Sequence, residues 1–324
     1  MELNLPLNKM WRFLSWLGRR AICFYLAVFL LSALFINYQK IKFDTQLRFL
    51  NQMMPSTFTY LVEVTEKQGT IGQKELIIYR NFYEEMIKNF PDTTEAYPLL
   101  GFCYYYEGKE KKAIDSFQRS MHFEPEFFWN YYNLGVIYYN KGQYKEVIDY
   151  LKKGTALNPQ KSLELIRNSK VIYRSIRTDD LIDDGQLLLR LKMGYQDAYR
   201  LLVLSHLKLK QYSLAMDFAN LAIQSTDGAT EDFYYYGGLA AYEMKSYDEA
   251  TRYFQICLSK DPDHPEAYRY IGLILEATGK KDSAQKVLGR AEKLRQQRHW
   301  QPRKKIIGFE IPTVEGQGIN LRIF

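Results

Sequence analysis

A period of 34 residues governs the middle of this chain. Aligned from Thr94 and Phe128, Tyr97 pairs with Tyr131, Leu100 with Leu134, Gly101 with Gly135 and Tyr104 with Tyr138. Gly108 pairs with Gly142, and Pro125 with Pro159. Counted along each line, these are positions 4, 7, 8, 11, 15 and 32. The first four recur at helical spacing, so they form one stripe on a first helix. Glycine at position 8 has no Cβ and lets a second helix come close. Glycine at position 15 opens the turn between the two. Ala113, Phe117 and Ser120 lie three and four residues apart on the second helix and face the stripe. Pro125 then blocks continuation. One such hairpin cannot bury its own apolar face, so units must stack on neighbours.

The same phase returns further along. The unit at Gln196 carries Tyr199, Leu202, Ala215, Ala219 and Ala222. After one extra residue, the unit at Glu231 carries Tyr234, Gly238, Ala250, Phe254, Cys257 and Pro262. The unit at Pro265 carries Tyr268, Ile271, Gly272, Gly279, Ala284, Leu288 and Ala291. Between them, residues 162–195 read as a worn repeat that lacks Gly at position 8 and Ala at position 20. Its helices are expected over 163–176 and about 181–191. An aromatic near the start, Leu-Gly, Tyr, Ala, Phe and a closing Pro resemble the tetratricopeptide (TPR) repeat family, a helix–turn–helix unit. The resemblance implies an all-α solenoid over residues 94–298. Residues 74–93, with Leu76, Tyr79, Tyr83 and Met86 at helical spacing, read as a degenerate capping half-repeat.

The flanks differ in kind. Residues 1–20 are basic, with Lys9, Arg12, Arg19 and Arg20 against Glu2. Residues 21–38 hold no charge, which is the lower limit of length for a helix that spans a bilayer. Trp11 and Trp16 suit an interface belt. The end of the run reads LFINYQK, without the small residues of a signal-peptide cleavage site. One uncleaved transmembrane helix is therefore expected. The basic bias places the N-terminus in the cytoplasm and the repeats outside it. Residues 39–73 read as a juxtamembrane helix and connector, and 299–324 as a short irregular tail. From Lys280 to Lys305 ten Lys or Arg stand against Asp282 and Glu292, in a chain whose net charge is +7. That segment suits an acidic partner or a lipid surface. It has no stacking aromatic beyond Trp300, so no nucleic acid is expected.

The chemistry of catalysis is missing from the pattern. The histidines (His122, His206, His264, His299) are dispersed, and the three cysteines make no paired motif. GTIGQKE at Gly69 lacks the Gly-Lys-Ser/Thr ending of a phosphate loop. Asp179, Asp180, Asp183 and Asp184 lack calcium-loop spacing. No cofactor, metal or catalytic residue is expected, and the chain does not read as an enzyme. What remains is a surface. In TPR proteins positions 5, 9 and 12 of the first helix line a concave groove. Here that implies a partner-binding set of Phe102, Tyr105, Tyr132, Tyr139, Arg200, Tyr235 and Tyr242, which Trp129 at position 2 joins. So many aromatics suit a peptide or helix of another protein. The Lys/Asn clamp of chaperone-binding TPR proteins is absent apart from Asn133. The expected work is membrane-anchored scaffolding, in assembly of a membrane or cell-envelope complex. A cytosol-facing receptor on an organelle membrane, or a non-catalytic enzyme subunit, are the alternatives.

Overall fold

The computed structural model describes residues 24–25, 27–38, 73–168, 184–225 and 230–297. The chain divides into two units, Met1–Pro55 and Ser56–Phe324. In the first, residues 24–25 and 27–38 are helical, and almost every side chain there is exposed. Among the described residues no helix is long and apolar enough to cross a membrane. The anchor expected over 21–38 lies partly outside them, and the connector before residue 73 and the tail at 299–324 lie wholly outside.

The described residues of the second unit form helices joined by short turns. The helices are α1 (Gln73–Asn89), α2 (Ala96–Tyr106), α3 (Glu110–Phe123), α4 (Phe128–Asn140), α5 (Tyr144–Thr155) and α6 (Pro159–Asn168). They continue as α7 (Asp184–Lys208), α8 (Tyr212–Ser225), α9 (Glu231–Glu243), α10 (Tyr247–Lys260), α11 (Pro265–Ala277) and α12 (Lys281–Gln297). Helix α1 packs on α2. The pairs α2/α3, α4/α5, α7/α8, α9/α10 and α11/α12 form hairpins that follow one another.

Each hairpin turns in the same way. The N–H of Lys109 donates to the carbonyl of Tyr104, and Gln143 to Tyr138, Gln211 to His206, Ser246 to Ala241 and Lys280 to Leu275. These are the six-to-one bonds of a Schellman cap, which requires a left-handed residue just past the first helix. That residue is position 15. Gly108, Gly142 and Gly279 take φ of 74°, 71° and 81°, while Lys210 and Lys245 take 57° and 61°.

Position 8 faces position 24 within each hairpin. A Cβ built on Gly101 would lie 3.1 Å from Phe117, on Gly135 2.5 Å from Leu151, on Gly238 2.7 Å from Phe254 and on Gly272 2.6 Å from Leu288. The unit at Gln196 inverts the pair, with Val203 at position 8 and Ala219 at position 24, both fully buried. The volumes exchange sides, so the helices stay in contact without the glycine. Position 4 joins neighbouring units. The Tyr131 hydroxyl donates to the Pro125 carbonyl at 2.8 Å, and Tyr97 makes the matching bond to Pro91 at 3.4 Å.

One expected boundary is absent. The second helix of the worn repeat and the first helix of the next unit are a single helix, α7, which runs through residues 191–196 without a break. Position 32 of the worn repeat is Met193, where the units at Thr94, Phe128 and Glu231 carry Pro125, Pro159 and Pro262, so nothing there stops helix propagation. Gly194 lies against the Trp129 ring, leaving room for α7 to cover both α4 and α5. Of the helix expected over 163–176, residues 163–168 fall in α6, and the remainder lies outside the described residues. Ser162 ties the start of α6 to α4, accepting from the Phe128 N–H and donating to the Glu126 carbonyl, each at 3.0 Å.

Candidate functional site: an aromatic rim on the first helices

First helices of successive units lie against one another: α4 on α7, α7 on α9 and α9 on α11. That contact decides which groove residues reach solvent. Position 5 falls between neighbours, and Pro98, Tyr132, Arg200 and Tyr235 are buried there. Position 9 is buried in Phe102, Val136 and Leu204 and half-buried in Leu239. Position 12 lies at the edge of this packing, where Tyr105, Tyr139, Leu207 and Tyr242 are all half-buried.

The partner-binding set expected from the sequence therefore divides. Phe102, Trp129, Tyr132, Arg200 and Tyr235 are each 5 % exposed or less. Trp129 is wedged between Phe128, Tyr132 and Gly194, so it is part of the α4–α7 core and not of an open groove. Arg200 donates to Asp197 at 2.6 Å and to Asp232 at 3.3 Å, which ties α7 to the first turn of α9. Burial works against its charge, but the two carboxylates outweigh that and hold it above its ordinary range. Both terminal nitrogens are thus engaged within the stack, and the side chain is buried rather than open to a ligand. Tyr235 packs on the His264 ring at 4.9 Å and is enclosed by Tyr236, Phe254 and Tyr270.

Tyr105, Tyr139 and Tyr242 remain as the accessible set. Each sits in a small aromatic group. Tyr105 meets Tyr106 edge-on at 5.3 Å, Tyr139 meets Tyr144 at 5.6 Å, and Tyr242 lies 5.9 Å from Tyr247 and 5.0 Å from Tyr270. Asn140 Nδ2 donates to the Tyr105 hydroxyl at 2.8 Å, linking one unit to the next. Partial burial raises all three phenols, Tyr139 to about 12; the Asn140 bond works against the rise at Tyr105. At neutral pH each presents a neutral hydroxyl above an apolar ring. Such a row offers flat stacking surfaces and hydrogen-bonding tips. Asn140 and Tyr106 were not in the expected set. The 34-residue spacing between Tyr105 and Tyr139 puts Asn140 one residue beyond the strip, which is the signal that points to it.

Among the described residues no group of His, Cys, Asp or Glu is arranged to hold a metal ion. Cys103 and Cys257 are buried. Burial pushes the Cys103 thiol well above its ordinary range, as befits a small core residue rather than a nucleophile.

A search of curated proteins finds no match. Among solved structures, a MamA protein superposes with a TM-score of 0.49 at 22% identity, over 64% of this chain and 95% of that one. YrrB, described as a TPR protein with an unusual peptide-binding site, gives 0.48 at 18% identity over 67% and 93%. MamA from Desulfovibrio magneticus RS-1 gives 0.47 at 16% over 64% and 98%. Two models of the tetratricopeptide repeat match the chain itself, one over residues 130–161 and one over 241–302, so the helical hairpins of this solenoid include tetratricopeptide repeats.

Proposed function

We propose that the chain is a membrane-anchored, non-catalytic scaffold whose solenoid holds a segment of another protein along the tyrosine rim. The observation that carries this is the contrast along the first helices: positions 5 and 9 are mostly spent on packing, while position 12 keeps Tyr105, Tyr139, Leu207 and Tyr242 half-exposed. Rings already held on one side lose little further freedom on binding, so they are efficient anchors. The fitting partner is an extended or helical segment with apolar side chains to lie on the rings. Groups that bond to phenol hydroxyls would fix its register. Support for the anchor is the charge-free run at 21–38, flanked by Trp11, Trp16 and the basic residues before it. In this reading the N-terminus is cytoplasmic, the solenoid lies outside the cytoplasm, and the assembly served is a membrane or envelope complex.

The test is a triple substitution, Tyr105→Ala, Tyr139→Ala and Tyr242→Ala, in the full chain. Tyr132 is left alone because its ring is buried. An interface aromatic typically contributes on the order of 2 kcal/mol or more, so three should abolish capture of the partner from solubilised membranes. Helicity by circular dichroism should stay near that of the parent. Normal recovery of the same partner would remove the rim as the site.

A further inference from the structure

The exposed face of α12 differs in charge from the same face on the second helix of every earlier hairpin. Positions 22, 26 and 29 lie on one side of that helix, at spacings of four and three residues. Helix α3 carries Asp115, Arg119 and His122 there, α5 carries Asp149, Lys153 and Ala156, and α8 carries Asp217, Leu221 and Gln224. Helix α10 carries Arg252, Ile256 and Ser259. In α12 the three residues are Lys286, Arg290 and Lys293. All of these side chains are exposed, so charge is the difference between the faces and not burial.

The three cations are poised for an external anion. Among the described residues no carboxylate pairs with Lys286 or Lys293. Asp282, one turn before Lys286, is the one carboxylate on that side of α12. The Arg290 guanidinium lies over the Tyr268 ring, 4.7 Å from its centroid, which steadies one face of the group and leaves the donors at its edge. Gly289 stands between Lys286 and Lys293 on the helix surface, and a Cβ there would meet nothing within 4 Å, so the centre of the patch is open. No large apolar side chain stands among the three, so a protein partner would find no anchor to bury there. A surface that binds by charge alone fits better.

We propose that this face of α12 docks on a bilayer surface that carries anionic lipid, with Lys286, Arg290 and Lys293 against the lipid phosphates. A bilayer is also what the proposed anchor at 21–38 would tether the chain to, and tethering turns a weak contact into an intramolecular one. To that extent the inference rests on the anchor. It does not depend on the tyrosine rim.

Acetylation of the unaltered full chain tests it. The chain is placed in lipid discs of phosphatidylcholine alone, or of phosphatidylcholine with about one-third phosphatidylglycerol. A water-soluble acetylating reagent is added, and the rate at each lysine is read by mass spectrometry. Lys286 and Lys293 should react about threefold more slowly, or less, in the anionic discs, and the difference should vanish near 1 M salt, where the screening length is about 3 Å. Lys111 and Lys145, exposed on α3 and α5, should react alike in both discs. The variant Arg290→Glu should abolish the protection. Equal rates for Lys286 and Lys293 in the two lipids would overturn the proposal, and so would protection in both that salt does not relieve. Protection by added polyglutamate but not by anionic lipid would assign the face to an acidic protein instead. Retention in the phosphatidylcholine discs tests the anchor separately. A chain that leaves those discs yet is protected by the anionic ones would lose the anchor and keep this face.

Discussion

The block from α2 to α5 and the stretch around α7 follow one 34-residue register, yet they fold differently. In the block, Gly108 and Gly142 turn each hairpin, and Pro125 separates α3 from α4. Around α7 the register survives: Tyr199 is buried at position 4, like Tyr97 and Tyr131. The punctuation does not survive, because Met193 stands where a proline would, and 25 residues form one helix. Register, then, is kept by the faces that pack between helices. Division into hairpins is kept by a few residues that stop helices.

The most direct way to break this comparison is to restore the missing stop. Met193→Pro removes one helical bond and drives the ring against the preceding turn, at a cost of about 3 kcal/mol or more. Met193 is only half-buried, so little of the effect should come from lost packing. The expected result is a large drop in the thermal midpoint of the full chain. A variant as stable as the parent would show that α7 does not run through this point.

A smaller effect sharpens the contrast at the adjacent residue. A Cβ on Gly194 would run into the Trp129 ring, which Phe128 and Tyr132 hold in place. Gly194→Ala should cost about 1–3 kcal/mol by overpacking. On Gly101, in the regular block, the new Cβ would lie 3.1 Å from the edge of Phe117, and a shift of a few tenths of an ångström relieves it. Gly101→Ala should therefore cost clearly less in the same denaturant titration. Equal losses would mean that Trp129 is free to move and that α7 is not pinned there.

The hairpins could be read from the sequence because their determinants are local and repeated. Glycine at position 8, a large residue at position 24 and tyrosine at position 4 sit where the period puts them. The fused helix was harder to see. Its register gives no sign of a missing boundary, and only the absence of proline at Met193 marks it. The site was half legible. Tyr132 and Tyr139 both read as groove tyrosines, but packing against the next unit buries one fully and leaves the other half-exposed. That distance between units is not written in either residue. Arg200 shows one partner, Asp197, at helical spacing, whereas Asp232 lies across the stack and only the fold brings it near.

The smallest expected effect concerns the turns, where the two regions differ in whether the left-handed residue carries a side chain. Position 15 is left-handed in all five hairpins, but Lys210 and Lys245 carry it after α7 and α9, where glycine carries it elsewhere. An L-residue pays about 1–2 kcal/mol to be left-handed. Glycine avoids that cost but loses more freedom on folding, by roughly 0.5–1 kcal/mol. The two terms nearly cancel, and the sign of the remainder favours glycine. Both lysine side chains are exposed, so no packing is lost when they are removed. At Gly108, Gly142 and Gly279 an added Cβ would meet nothing within 4 Å, so these turns are open and no steric clash adds to the two backbone terms. Lys210→Gly and Lys245→Gly should each stabilise by about 0.5 kcal/mol, and Gly142→Lys should destabilise by about the same amount. The two lysines are in separate turns, so the double variant should be additive within about 0.5 kcal/mol. Denaturant midpoints of the three variants and the double variant measure it. A loss of stability in Lys210→Gly would mean that the lysine stem shields apolar surface near Tyr212. The turns would then differ by their side-chain contacts and not by their backbone alone.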